Sequence, residues 1–185
     1  MLLIAVLVAC KKDKIPIPDS PQMRYLDLQN REVKFQQGHR IDLDGDNTID
    51  FTFSTIHVGD PVLRRDRIQF FAGSGFYSFL PIDHIELSKI LRKGDKIGAT
   101  APTGYTWYNG AFTVLAEKII PETGETYWEG PWKNMSHHYL ALQIEKNGKR
   151  YFGWIELSMD KVAEKLILHK AAISIVQDLE VAAGF

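Results

Sequence analysis

The sequence predicts an all-β fold, an antiparallel β-sandwich of jelly-roll-like build with one short helix. Three observations carry that prediction. Short runs rich in β-branched and aromatic residues recur between turn residues along the chain, the spacing expected of strands in a sandwich or barrel. Within residues 139–145, Leu140, Leu142 and Ile144 alternate with Tyr139, Ala141 and Gln143, the period of two that a strand imposes. Lys146-Asn147-Gly148-Lys149 then holds an Asn-Gly pair, which tolerates positive φ at both central positions of a tight hairpin turn.

In chain order, strands are expected at 32–35, 49–54, 67–71, 76–80, 110–120, 139–145 and 151–158. The last contains Gly153, whose bare backbone permits close packing against Trp154 or a neighbouring strand. A helix is expected at 83–92: Asp83 caps it with Glu86 three residues on, Leu87, Ile90 and Leu91 share a face, and Gly94 terminates it. The stretch 159–173 supports two readings. Asp160, Val162, Ala163, Glu164, Leu166 and Ala171 suit a helix, whereas Leu166-Ile167-Leu168 and Ile173-Ser174-Ile175-Val176 suit strands. A strand is placed at 165–174. There is no internal repeat and no second domain boundary.

Hydrophobic residues make up 45% of the chain and Cys10 is its single cysteine, so burial and not disulfide bonding must hold the fold. Twenty-two basic against twenty-three acidic residues leave a formal net charge of −1. That balance, with charges interspersed, argues against a nucleic-acid partner, which needs a concentrated basic surface.

Cys10 follows the apolar run Leu2-Leu3-Ile4-Ala5-Val6-Leu7-Val8-Ala9 and precedes Lys11-Lys12-Asp13. The run is too short to span a bilayer, which takes about 20 apolar residues. A small residue before a cysteine is instead what a lipoprotein signal peptidase cuts. Leu7-Val8-Ala9-Cys10 resembles a lipobox, and Lys11-Lys12-Asp13 resembles the charged tether of outer-membrane or surface-exposed lipoproteins of some Gram-negative bacteria. The resemblance implies a diacylglycerol thioether on Cys10, a membrane partner reached through it, and a location in the cell envelope. With each buried methylene contributing about 0.8 kcal/mol, two or more chains anchor firmly. The expected organisation is a signal peptide at 1–9, a lipidated, Pro-rich tether at 10–22 and a single β-sandwich domain at 23–185.

The sharpest chemical signal in the remainder is Ile41-Asp42-Leu43-Asp44-Gly45-Asp46-Asn47-Thr48-Ile49-Asp50-Phe51. Counted from Asp42, carboxylates stand at places one, three, five and nine. Calcium is a hard cation that takes six to eight oxygen ligands, and alternating aspartates around a glycine converge carboxylates on one point. Asn47 holds place six, where a left-handed backbone is needed and asparagine is tolerated. The backbone carbonyl of Thr48 is the expected place-seven ligand, and Asp50 binds directly or through water. Magnesium, which keeps several waters, suits such a cage less well. The competing reading is an acidic, solvated hairpin tip that binds nothing.

The loop resembles the opening of an EF-hand, yet place twelve is Phe53 where a glutamate is required, and no helical pattern flanks it. It is more similar to the β-hairpin calcium loops of secreted bacterial proteins and integrin-type propeller blades. A wider resemblance links the Asp-x-Asp-Gly-Asp-x-x-x-Asp-Phe segment with Asn147-Gly148, Tyr151-Phe152-Gly153-Trp154-Ile155 and Ala183-Gly184. These features resemble uncharacterised secreted bacterial β-proteins, which implies a β-sandwich with a structural Ca2+ site and carries no activity.

Other constellations are weaker. His137 and His138 are adjacent and point to opposite faces of a strand. Gly73-Ser74-Gly75 lacks the full nucleophile elbow. Glu117, Glu122, Glu125 and Glu129 offer carboxylates of the kind a glycosidase pairs across a cleft, at a separation that spacing along the chain does not show. Tyr105, Trp107, Tyr108, Tyr127, Trp128 and Trp132 crowd a segment rich in Gly, Pro, Asn and Glu. Flat aromatic faces beside hydrogen-bonding groups suit sugar rings, and equally suit a sandwich core. Two function classes follow. One is a non-catalytic, calcium-stabilised surface lipoprotein acting as an interaction module towards an envelope protein. The other is a carbohydrate-binding module using the aromatic segment on a glycan; a hydrolase on the same scaffold ranks third.

Overall fold

A computed structural model describes residues 22–185; Cys10 and the lipobox lie outside them. In chain order the strands are β1 (Met23–Val33), β2 (Gly38–Ile41), β3 (Phe51–Asp60), β4 (Arg65–Ser74), β5 (Ser78–Ile82), β6 (Lys96–Ile97) and β7 (Thr106–Asn109). They continue with β8 (Phe112–Pro121), β9 (Tyr127–Glu129), β10 (His138–Lys146), β11 (Lys149–Asp160), β12 (Lys165–Ser174) and β13 (Val181–Ala182). The order β1-β12-β11-β10-β5-β7 forms a six-stranded sheet, and β2-β3-β4-β8-β9 forms a five-stranded one. Every pairing is antiparallel, and the two sheets form an antiparallel β-sandwich.

Burial explains why the strands read as they do. Phe53, Phe70 and Leu115 from the smaller sheet join Leu142, Ile155, Leu157 and Leu168 from the larger in one core. The larger sheet is covered on its other face as well. There Phe152, Trp154, Tyr139 and Ala172 pack against Leu91, Ile97, Val181 and Ala183, brought by the β6–β13 ribbon and its flanks. Strands buried on both faces lose the apolar–polar alternation of a half-exposed sheet, so β11 reads as an almost unbroken buried run from Phe152 to Met159. Each large apolar side chain so buried contributes about 1.5–3 kcal/mol.

The β10–β11 turn is the tight hairpin expected from its sequence. Lys146 pairs with Lys149, and Asn147 and Gly148 between them have φ of 52° and 72°. The strand placed at 165–174 coincides with β12.

The helix expected at 83–92 is absent, and its cap shows why. Asp83 Oδ1 accepts hydrogen bonds from the amides of Ile85 (3.0 Å) and Leu87 (2.9 Å), as a cap would. Glu86 then turns left-handed at φ 64°, and the Asp83 amide donates to the Leu87 carbonyl at 3.0 Å, closing a loop in place of a helical turn. Tertiary bonds take the residues that follow. Ser88 bridges to Ile82 and Leu91 to Tyr139, while Ser88 Oγ accepts from the buried Trp132 indole at 3.1 Å.

The registers also sort the loops to two ends. Gln22, whose carbonyl accepts from the Ile175 amide at 2.9 Å, lies at the end that carries the 42–50 loop, the Phe76-Tyr77 turn and the β10–β11 hairpin tip. The β3–β4 and β11–β12 turns lie at the opposite end.

Candidate metal centre

Residues 42–50 link β2 to β3, whose ladder closes on Ile41 and Phe51. The loop is wound on its own carboxylates. Asp42 Oδ1 accepts from the amides of Gly45 (2.6 Å) and Asp46 (3.1 Å), and its Oδ2 from Asn47 (2.8 Å). Gly45 and Asn47 are left-handed, at φ 75° and 68°, so the asparagine stands where a backbone of this sense is needed. The Arg24 guanidinium lies against the Asp44 carbonyl and fills the space a side chain at Gly45 would occupy. Leu43, fully buried, pins the loop to the core.

Asp50 is only 4% exposed. Its Oδ2 accepts from the Leu43 amide at 2.8 Å and its Oδ1 from the Ser78 hydroxyl at 3.1 Å, so the carboxylate is held rigidly. Asp42, Asp44 and Asp50 each bring one oxygen within 4.8 Å of the others. Ligands on opposite sides of a calcium ion stand about 5 Å apart. The three aspartates could therefore hold a metal ion.

The electrostatics fit that reading. Burial raises the pKa of Asp50, and the negative charge of Asp44 adds to the rise against the opposing bond from Leu43. Asp44 Oδ2 is buried and receives no directed hydrogen bond. Its close neighbour is an ammonium: Lys146 Nζ lies 2.5 Å from Asp44 Oδ2 and 2.8 Å from Asp46 Oδ2. Burial alone would lower the pKa of Lys146, but its two carboxylate partners outweigh this and raise it. The Lys146 bond, followed by the Thr48 amide on Oδ1 at 2.8 Å, lowers that of Asp46. Of the residues read from the sequence, Asp42, Asp44 and Asp50 converge, whereas Asp46 turns to the lysine and Thr48 offers its amide to Asp46.

No family model, no curated protein and no solved structure matches the chain.

The six aromatics at 105–132 are not brought together. Tyr105, Trp107 and Tyr108 flank or belong to the edge strand of the larger sheet, and Trp107 donates to the Gly98 carbonyl at 3.2 Å. Tyr127 and Trp128 sit in the edge strand of the smaller sheet, with Trp128 tilted against Phe70 at 5.8 Å. Trp132 is fully buried. Among the carboxylates, Glu117 is engaged by Gln69 at 3.0 Å and Arg67 at 3.6 Å.

Two features escaped the sequence reading. Lys146 was one, since a single lysine a hundred residues from the loop carries no local signal. The other is a polar cluster on the outer face of the larger sheet. His169 sits in a bulge of β12, facing a bulge at Leu28 to Asn30 of β1. Its Nδ1 donates to Asn30 Oδ1 at 2.6 Å and its Nε2 accepts from the Ser158 hydroxyl at 2.7 Å. His137 stacks on it at 4.2 Å between ring centres and bonds Glu156 Oε1 at 2.7 Å.

Proposed function

We propose that this is an envelope lipoprotein, anchored through acylated Cys10, whose β-sandwich acts as an interaction module stabilised by calcium. The anchor rests on the lipobox and the charged segment behind it. The convergence of Asp42, Asp44 and Asp50 carries the metal reading. An all-oxygen, all-carboxylate donor set suits a hard cation, and of the two Asp42 oxygens Oδ2, which accepts from the Asn47 amide alone, keeps a lone pair for an ion. Thr48 would complete the shell through its carbonyl, and Asp46 once released by Lys146.

Thermal unfolding of the full chain in EDTA and in millimolar calcium tests the metal. With a dissociation constant of about 0.1 mM, 2 mM calcium adds about 2 kcal/mol, or about 4–8 °C. The shift should vanish in Asp44→Asn. A wild type indifferent to calcium would make the loop a bare acidic turn. For the anchor, mass analysis of protein from its native membrane should find acyl chains on Cys10 and no residues 1–9.

A further inference from the structure

We infer that the end of the sandwich bearing Phe76 and Tyr77 rests on the lipid surface, the two rings seated in the headgroup region; this builds on the anchor at Cys10 proposed above. Three observations lead there. The described chain begins at Gln22, and Gln22 lies at this end, bonded to Ile175. Phe76 and Tyr77 are 73% and 62% exposed, and their rings meet edge to face at 5.0 Å. Their backbone is nevertheless held, since Asn109 Nδ2 donates to the Phe76 carbonyl at 2.9 Å and the Glu145 amide to that of Tyr77 at 2.8 Å. A rigid turn thus presents two large aromatic rings outward, with Ile49 of the neighbouring loop exposed as well. Tyrosine favours the membrane–water interface, where its ring and its hydroxyl are both accommodated, and the apolar Phe76 ring beside it gains by leaving water.

The length of chain outside the described residues selects the occupant. From Cys10 to Gln22, twelve residues reach at most about 40 Å. The sandwich, with ten-residue strands such as β3, is itself about 33 Å long. The opposite end also exposes apolar tips, Val62 and Val162. Bringing those to the same bilayer would require the tether to run back along the whole domain, almost fully extended and at a large entropic cost. The near end needs no such extension. Lys149 and Arg150 of the β10–β11 hairpin lie at the same end as the acidic loop, so the charges are mixed and contact relies on the rings instead of on anionic lipid.

The test exploits the absence of any cysteine besides Cys10. Full-length protein carrying Phe76→Cys, or Val62→Cys as the far-end control, is extracted from membranes, spin-labelled and reconstituted in phosphatidylcholine vesicles. Intact mass reports acylation of Cys10 independently of the label. With Cys10 acylated, the label at position 76 should lose most of its collisions with an aqueous nickel complex, while the label at 62 keeps them. Equal aqueous access at both positions, or protection at 62 alone, overturns the inference and leaves the anchor standing. An unacylated Cys10 removes the anchor, and the inference with it.

Discussion

Lys146 reaches from the β10–β11 hairpin tip to the β2–β3 loop and sets its ammonium 2.5 Å from Asp44 Oδ2. A tethered cation therefore holds a carboxylate that a divalent ion at Asp42, Asp44 and Asp50 would need, and the two compete for it. Lys146→Gln should tighten calcium binding about fivefold, the loss of a competing pair of about 1 kcal/mol, and should lower the melting temperature in EDTA. Isothermal titration calorimetry reads the first effect. An unchanged affinity would mean that the ammonium and the ion do not exclude each other.

Asp50 offers a second test, because its charge and its hydrogen bonds can be separated. Its folded pKa is raised, chiefly by burial. The folded state thus holds the proton more tightly than the unfolded one, and without metal this group costs stability as pH rises from its ordinary value through its folded one. Asp50→Asn keeps an acceptor for the Leu43 amide and a donor for Ser78. It should therefore hold or raise stability in EDTA at neutral pH while abolishing the calcium shift. Asp50→Ala leaves the buried Leu43 amide unsatisfied and should cost about 1–3 kcal/mol. Equal losses in the two variants by urea denaturation would refute the charge argument.

For the outer-face cluster the prediction is one of pH. Burial lowers the pKa of His169, with His137 next among the causes and Lys170 adding to them, while Glu156 opposes. A histidine that is depressed on folding binds its proton less readily in the folded state. Its contribution to stability is complete above the unfolded value of about 6.5 and is lost as pH falls through the folded pKa. Urea midpoints should fall between pH 7.5 and 5, with a shallower slope in His169→Gln. The His169 imidazole should titrate by NMR below an exposed histidine, and His137→Gln should move it upward. A midpoint unmoved by that change would exclude charge coupling across the 4.2 Å stack.

Legibility in the sequence follows the range of the interaction that decides each feature. Asn147-Gly148 sets its own hairpin, and although 159–173 supported two readings, the aliphatic run Leu166-Ile167-Leu168 favoured the strand that β12 forms; both signals are local. The left-handed Asn47 was readable for the same reason. Residues 83–92 had a true cap in Asp83, but a left-handed Glu86 and the bonds of Ser88 to Trp132 and Leu91 to Tyr139 decided against a helix. Those partners lie 44 and 48 residues away. Lys146 beside Asp44 and His169 beside Asn30 are likewise products of sheet assembly, which no short window displays. The aromatic segment was crowded in sequence and is divided in space, because β7 and β9 join different sheets.

Gly153 tests the packing of the larger sheet at its most confined backbone position. A Cβ there would run into the Ala172 carbonyl oxygen and stand 2.9 Å from Ile173 Cδ1 and 3.0 Å from Ile173 Cα. Gly153 pairs with Ile173 on one side and Leu142 on the other, so neither neighbouring backbone can withdraw without breaking a ladder. Strand glycines ordinarily weaken a sheet, and replacing one by alanine is expected to help where the space exists. Here the close contact reverses the sign. Gly153→Ala should destabilise by about 1–3 kcal/mol, the usual cost of overpacking. Gly148→Ala, where nothing lies within 4 Å but φ is 72°, should cost about 1 kcal/mol through backbone strain alone. Chemical denaturation of the two variants side by side separates collision from strain. A neutral or stabilising Gly153→Ala would show that β11 and β12 have room to part.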